Sequence, residues 1–291
     1  SQSDLNFMCR LIDDAFDEFG LYMVHHNRWV TSARTNRMGE MTAGEFSSLA
    51  PGLLRRRMAR QLAQRQSQRC PYLFSVAADN YESGVETALT PPARSGFPAT
   101  HALLDQAWRQ YLAAMETLLA KQPFLLGDRF TLADASAYGQ LSMNLVDGKA
   151  QQLLQELAPL THEWLCMIRD GKHGTSSGKL YLSEHLLSLI AIISDTFLPL
   201  MRQNETAYQQ ALDAGHTLFN EAAFDQGAAH YDGTLLNQPF RSVAKTFQVA
   251  VWRELQHCWQ SLNEIDQQQL QSLYPPLANM ASVATNRITQ P

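Results

Sequence analysis

Apolar side chains recur at three- and four-residue steps through most of this chain, and almost nowhere at steps of two. Leu5, Met8, Cys9, Ile12, Phe16, Phe19 and Met23 follow that rhythm and predict one long helix from Asp4 to Arg34. A second helix is expected over 45–68, carrying Arg55, Arg56, Arg57, Arg60 and Arg65. A third, over 101–121, has Leu104, Trp108, Tyr111, Leu112, Met115, Leu118 and Leu119 on its apolar face and ends at Pro123. Helical stripes continue over 132–146, over 149–170 with Pro159 as a kink or break, and over 183–203 with a short helix on to Ala214. The last strong helix spans 240–262. Between these lie Gly-, Pro- and Ser-rich loops at 77–100 and 171–178, and an irregular stretch at 215–239. In that stretch Tyr231-Asp232-Gly233 reads as a turn, with weak support for a short strand pair. From Pro275 the tail reads as loop. Helices joined by loops, with almost no strand signal, predict an all-α helical bundle. It divides into a core over 1–170 and a helical extension over 171–291 packed on it.

Local chemistry is densest at Phe124-Leu125-Leu126-Gly127-Asp128-Arg129-Phe130-Thr131-Leu132-Ala133-Asp134. Thr131 stands three residues before Asp134 and ahead of an apolar run, the spacing of a reciprocal N-terminal capping box. The helix it starts carries little charge and is expected to be buried. Thr131 and Asp134 are read as a folding element.

Composition narrows the classes. The 291 residues suffice for a sizeable core, and 45% hydrophobic content excludes a disordered chain. A net charge of −5 gives no general attraction to nucleic acid or anionic membrane, so neither is expected as a partner. The chain has no basic-then-apolar leader pattern and no uninterrupted apolar run of about 18 residues, so a cytoplasmic location is expected. Cys9, Cys70, Cys166 and Cys258 are widely spaced, which fits reduced thiols and no zinc site. Cys70-Pro71-Tyr72 has the look of a redox motif, but an Arg/Gln-rich helix precedes it and no resolving Cys follows. The arginines of 55–69 are expected to form a solvated face that pairs with acids of a neighbouring helix; an anion or partner site is the alternative. No nucleophile motif, metal motif or phosphate loop is present, so no catalytic residue and no metal site is assigned.

Three segments share one resemblance. Phe-Leu-x-Gly-Asp-x-Phe-Thr-x-Ala-Asp over 124–134 resembles the capping motif of the glutathione transferase C-terminal domain. The opening run Phe7–Phe19 with His26-Asn27-Arg28-Trp29 is similar to that domain's first helix in a bacterial branch. Phe197-x-Pro199 with Asn204 and Ala207, then Asp232-Gly233 and Gln238-Pro239-Phe240, is similar to the branch's extended C-terminal region.

The resemblance implies a helical half that supplies the hydrophobic co-substrate pocket and faces a thioredoxin-like domain holding glutathione. That second domain, a small electrophilic molecule and a second copy in a homodimer are the implied partners. The family's catalytic and glutathione-gripping residues belong to the thioredoxin-like half, which this sequence lacks, so the chain alone is expected to be inactive. Asp13, Asp14 and Asp17 are the candidates toward the glutathione ammonium. Phe19, Tyr22, His26, Arg28 and Trp29 are the candidates for the pocket, with His25 beside them at its mouth. An exposed apolar patch on the first helix and near the capped helix is also expected, as an orphan interface. The alternative is a non-enzymatic binding or assembly module on the same helical fold.

Overall fold

The opening apolar pattern folds as one helical rod over residues 2–31. It comprises α1 (Gln2–Ala15), a π-helical turn (Phe16–Gly20), α2 (Leu21–His26) and a second π-helical turn (Asn27–Thr31). The computed structural model describes residues 2–33, 35, 37–46, 51–77, 94–174 and 178–281. Phe7, Met8, Leu11, Ile12, Phe16, Phe19 and Met23 are all buried in the main core. Each such side chain contributes about 1.5–3 kcal/mol on burial. Phe16 and Phe19 close on the Tyr111 ring at 5.6 and 6.0 Å.

Two shorter helices follow, α3 (Met38–Glu45) and α4 (Gly52–Arg69). The helix expected over 45–68 is observed as α4, starting later at Gly52, and α3, which was not expected, precedes it and packs against it as a hairpin. Pro51, which has no N–H to donate, stands at the start of α4. The hairpin closes because Gly39 lies against α4, where a Cβ would meet the Ala59 carbonyl oxygen at 2.3 Å. Of the loop expected over 77–100, residues 78–93 lie outside the described residues, as do 175–177 of the loop at 171–178 and 282–291 of the tail.

The next elements follow the sequence pattern closely. They are α5 (His101–Leu119), α6 (Leu132–Leu141) with a 3₁₀ turn over Ser142–Val146, α7 (Gly148–Leu157) and α8 (Pro159–Arg169). Pro159 breaks the stripe into two helices and opens the second, where its missing N–H is harmless. Both α5 and α6 pack on the rod.

In the extension, α9 (Leu187–Asp195) ends at Thr196 and α10 (Phe197–Asp213) begins. The break falls earlier than the pattern suggests, and one helix then runs through Asn204. Pro199 is tolerated in the first turn of α10 but not in a helix interior. Thr196 Oγ1 donates to the Ile192 carbonyl at 2.6 Å and lies 3.0 Å from Tyr111 Oη. By length and composition Glu184–Asp213 could cross a membrane, at a mean hydropathy of 1.4, but 61% of its most apolar window is buried within the fold.

After α11 (Glu221–Gln226) come β1 (His230–Leu235) and β2 (Gln238–Val243), a two-stranded antiparallel hairpin pairing Gly233 with Phe240. Leu236 and Asn237 carry positive φ of 48° and 60°, as a two-residue hairpin turn requires. The turn read at Tyr231–Gly233 therefore lies inside β1. Gly233 serves close approach instead, since a Cβ there would sit 2.3 Å from the Phe240 ring. The strand also takes residues 240–243 from the expected last helix, so α12 runs Thr246–Ser261. Beyond it are α13 (Glu264–Leu273), a 3₁₀ turn (Pro275–Leu277) and α14 (Ala278–Ala281). Helix continues past Pro275, where loop was expected.

Core and extension share one apolar interior. α12 lies along the rod in the opposite direction, with Phe7 against Trp259 at 5.1 Å, Arg10 bonded to Glu254, and Lys245 reaching Tyr22. α13 also packs on α1. The rod consequently exposes no large apolar side chain among the described residues, contrary to the expected patch. Near the capped helix, Leu132 and Val146 are exposed at 58% and 46%.

Asn204 clamps the α12 entry to α10. Its Nδ2–H donates to the Lys245 carbonyl at 3.0 Å, and its Oδ1 accepts the Lys245 N–H at 2.9 Å. Both backbone groups are buried, so Asn204→Ala should cost about 2–4 kcal/mol, from two orphaned groups. Chemical denaturation with an unchanged m-value is the measurement, and a loss below about 1 kcal/mol would show that the clamp is slack.

Candidate functional site

The rod carries an unusual line of polar groups through its buried surface: Asp14, Glu18, Tyr22 and His26, each four residues from the last. Four residues overshoot one α-turn and fall short of one π-turn. Alternating the two kinds of turn keeps these positions aligned instead of letting them spiral away.

Each member meets a defined partner. Arg10 Nε donates to both Asp14 oxygens at 2.9 and 2.7 Å, and Arg10 also bonds Glu254. Burial lifts Asp14 to about 6 despite that ion pair. Gln248 on α12 donates to Glu18 at 3.3 Å and to Tyr22 Oη at 2.9 Å. Lys245 Nζ donates to Tyr22 Oη at 2.7 Å and lies over the Tyr22 and Tyr72 rings at 4.8 and 5.0 Å. Lys245 is buried, and burial pulls it down to about 7, with Glu18 acting in the opposite sense. Glu18 is pushed up to about 7, chiefly by burial.

His26 is fully buried and sits between Ser75 Oγ at 2.6 Å from Nδ1 and His101 Nδ1 at 2.7 Å from Nε2. Burial first, then the neighbouring His101, holds His26 well below its ordinary range, so it is neutral. A neutral imidazole donates at one nitrogen and accepts at the other, which suits this chain of three. Ser75 is itself fully buried behind Phe74, whose ring stacks on Tyr22 at 5.3 Å. The triad therefore locks the 70–77 segment to the rod. Phe74 is held at a positive φ of 71° within this packing.

Arg28 and Trp29 lie on the second π-helical turn. Arg28 Nε donates to both Asp147 oxygens at 3.1 and 2.9 Å, and its Nη2 to the Met143 carbonyl. Asn27 and Asn144 bond side chain to side chain at 3.2 Å, and Asn144 donates on to the Val24 carbonyl and to Asp147. Burial pushes Asp147 up while Arg28 pulls it down. The end of the rod is thereby fixed to the 3₁₀ turn after the capped helix.

Beside it, the α3–α4 hairpin encloses a cleft of about 200 Å³. His25, Arg28 and Trp29 form one wall, and Met38, Thr42, Leu62 and Gln66 form the other. Burial, then the Arg28 and Arg69 charges, bring His25 down to about 4, so it too is neutral at pH 7. Closure depends on Gly39. Gly39→Ala should overpack the hairpin by about 1–3 kcal/mol and speed tryptic cleavage at Arg55–Arg60 about tenfold. An unchanged cleavage rate would mean that the hairpin is held elsewhere.

The pocket candidates thus divide. Arg28 and Trp29 line the cleft, together with His25. Phe19, Tyr22 and His26 lie behind it in the interior. The three acids point three ways. Asp13 accepts from Ser136 on the capped helix, Asp14 is tied to Arg10, and the exposed Asp17 is 3.4 Å from Gln140 Nε2. Among the described residues none of them pairs with α4, whose Arg69 instead meets Glu221 at 3.0 Å. The Cys70 thiol is buried, and burial pushes it up, the reverse of what a redox thiolate needs. Lys245, Gln248, Ser75 and His101 had no sequence signature. The one available hint was the four-residue spacing of Glu18, Tyr22 and His26 on an otherwise apolar helix.

Asp134 closes the capping box. Its Oδ2 accepts the Thr131 N–H at 2.8 Å and the Thr131 hydroxyl at 2.7 Å. Its Oδ1 accepts the Leu125 N–H at 2.8 Å, tying the preceding turn to the helix start.

Residues 93–143, from the segment before α5 through the capped helix, match the family model of the glutathione S-transferase C-terminal domain. No curated protein and no solved structure matches the chain. A helical architecture, a capped helix packed on the first rod and this family match agree with one another, and the chain carries a domain similar to the glutathione transferase C-terminal domain.

Proposed function

We propose that this chain is the helical half of a glutathione transferase-like protein, supplying the co-substrate pocket and the surface that meets a thioredoxin-like half. The observation that carries this reading is the cleft at the end of the rod, fixed through Arg28–Asp147 and Asn27–Asn144 to the turn that follows the family-matched helix. In this reading Trp29 and His25 form the pocket wall and Arg28 positions them. Phe19, Tyr22 and His26 hold the wall from behind. Asp17, exposed on the rod and held there by a long 3.4 Å bond from Gln140, is the carboxylate that meets the glutathione ammonium, with Asp13 and Asp14 below it. Glutathione bound by the thioredoxin-like half presents its thiolate, which forms a carbon–sulfur bond while the leaving group departs with the bonding electrons.

The test compares this chain with a protein carrying both halves, using an aryl halide and glutathione. Turnover is expected only when both halves are present. In that protein Asp17→Asn should raise the Michaelis constant for glutathione about 2–5-fold, the range of an exposed ion pair. Steady conjugation by this chain alone would overturn the division of labour.

A further inference from the structure

The α3–α4 hairpin is attached to the body lightly. Of the 18 residues of α4 only Ser67 is buried, and the helix packs mainly on α3. Met58, Ala59, Leu62, Ala63 and Gln66 are half-buried at helical spacing and form its inner side. Gly39, near the start of α3, lies against Ala59 and Ala63, in the middle of α4. The chain therefore doubles back, and Phe46, just past α3, stands beside the start of α4. That end is apolar and faces water. Phe46, Leu53 and Leu54 are 42%, 83% and 50% exposed. Apolar groups gathered at one exposed place mark an interaction surface.

Basic groups follow directly. Arg56, Arg57 and Arg60 are exposed on the outer side of α4, and none of them forms an ion pair among the described residues. Arg69, at the far end, pairs with Glu221 instead. Glu45, next to Phe46, offsets one of the three charges. At about 1.5 Å per residue the three arginines follow Leu53 by about 4.5 to 10.5 Å along the helix. The headgroup layer over one face of a bilayer's hydrocarbon is about 5–8 Å deep. An apolar tip at the acyl boundary thus puts these guanidinium groups at the level of the phosphates.

The net charge of −5 argues against an anionic surface for the chain as a whole. Distance limits that argument. Leu62 is the first α4 residue on the cleft shared with the rod, and it stands about 13.5 Å along the helix from Leu53. Charges in physiological salt are screened over about 8 Å, so the tip acts with its own local charge.

We propose that this end of the hairpin docks on an anionic lipid bilayer, with Phe46, Leu53 and Leu54 entering the acyl boundary and Arg56, Arg57 and Arg60 binding lipid phosphates. A nucleic acid would meet the arginines but leave Leu53 and Leu54 in water. A protein partner would need an apolar pocket with an acidic rim shaped to a convex end, whereas a fluid layer needs no matching shape. This surface does not depend on the transferase reading.

The experiment sediments the full chain with vesicles of three parts phosphatidylcholine to one part phosphatidylserine. Binding should be at least about tenfold tighter than to pure phosphatidylcholine, and added salt should release it. The triple variant Arg56→Gln, Arg57→Gln, Arg60→Gln should weaken binding about 50–150-fold. The double variant Leu53→Ser, Leu54→Ser should weaken it at least about tenfold. All five side chains are exposed, so the helical circular dichroism of both variants should match the parent's. Leu53→Trp places a fluorophore at the tip, and its emission should move to the blue on the anionic vesicles alone. Equal binding to neutral vesicles, no binding, or an unmoved Leu53→Trp emission on bound vesicles would each overturn the proposal. So would binding that survives the double variant and is competed away by a DNA duplex or by poly-glutamate, which would give the arginines to a nucleic acid or an acidic protein.

Discussion

Asp134→Ala should be the most damaging single substitution considered, lowering stability by about 4–6 kcal/mol. The carboxylate receives three hydrogen bonds, from the Thr131 N–H, the Thr131 hydroxyl and the Leu125 N–H. Hydrogen bonds to a charged group are worth about 1.5–3 kcal/mol each, and the two backbone N–H groups would be left without partners. An ordinary capping residue costs only about 0.5–2 kcal/mol. The excess comes from Oδ1, which joins the helix start to the 124–127 turn. Asp134→Asn keeps one acceptor oxygen and turns its NH2 toward the N–H on the other side, so it should lose one half of this bridge and fall between the wild type and alanine. Asp134→Glu can restore the local cap but not the Leu125 bond. Denaturant unfolding of the three variants checks the order. An alanine loss of about 1 kcal/mol would reduce Asp134 to a local cap. Should Asp134→Ala prove too unstable to purify, the Glu variant still separates the two roles.

Lys245→Met is expected to stabilise the protein at pH 6, by about 1–4 kcal/mol, the range found when a whole buried ion pair gives way to apolar side chains, because Glu18, pushed up to about 7, is mostly protonated at that pH and leaves no uncompensated charge. Lys245 lies at about 7 against an ordinary 10.5. Between those values the unfolded chain holds a proton that the folded chain lacks, so stability rises with pH from about 7 toward 10.5. Glu18 has the opposite sign. It lies at about 7 against an ordinary 4.5, so between these the folded chain holds the extra proton and stability falls as pH rises. Together they predict a stability minimum near pH 7. In Lys245→Met the alkaline rise should disappear, and in Glu18→Gln the acidic fall should. Unfolding midpoints at pH 5, 7 and 9 in a common buffer ionic strength measure both limbs. A Met variant that is less stable at pH 6 would show that the ammonium's bond to Tyr22 and its approach to two tyrosine rings outweigh its desolvation.

Costs of this kind bear on function. The Lys245–Tyr22–Gln248–Glu18 group joins the extension to the rod directly behind the segment that ends in Trp29. Natural cores favour apolar residues at such positions, and here Lys245 and Gln248 on the α12 side bond Tyr22 and Glu18 on the rod. Arg10–Glu254 and Phe7–Trp259 repeat that register toward the other end of the rod.

Legibility followed distance along the chain. The rod, α5, the capped helix and the body of α12 were readable because their apolar spacing is a local property. So was the Thr131–Asp134 pair, whose partners lie three residues apart. The boundaries that moved did so at particular residues. The helix expected from 45 starts after Pro51, Pro159 split one stripe in two, and the break before Pro199 came at Thr196. Gly233 has a turn's composition but fills a close approach to Phe240 across a strand pair.

Among the site residues, Arg28 and Trp29 were placed near a cleft by resemblance alone. The cleft itself depends on a hairpin whose crossing at Gly39 and Ala59 joins residues twenty positions apart. His26 read as one of two adjacent histidines, and the fold gave the pair opposite surroundings. Neighbours on a helix point about 100° apart, so His25 meets the cleft while His26 meets Ser75 and His101.

By itself the sequence determined that this is a helical protein, where most helices run, how the buried helix at Leu132 begins, and which family its centre resembles. Those properties depend on periodicity and on bonds spanning three or four residues. Tertiary structure alone decided that α12 covers the rod, that Lys245 lies beneath Tyr22, and that His25 and Trp29 share one wall. Such pairings join residues far apart in the chain, 244 positions for Arg10 and Glu254. No local spacing encodes them, because they follow from which apolar faces find each other when the whole chain packs.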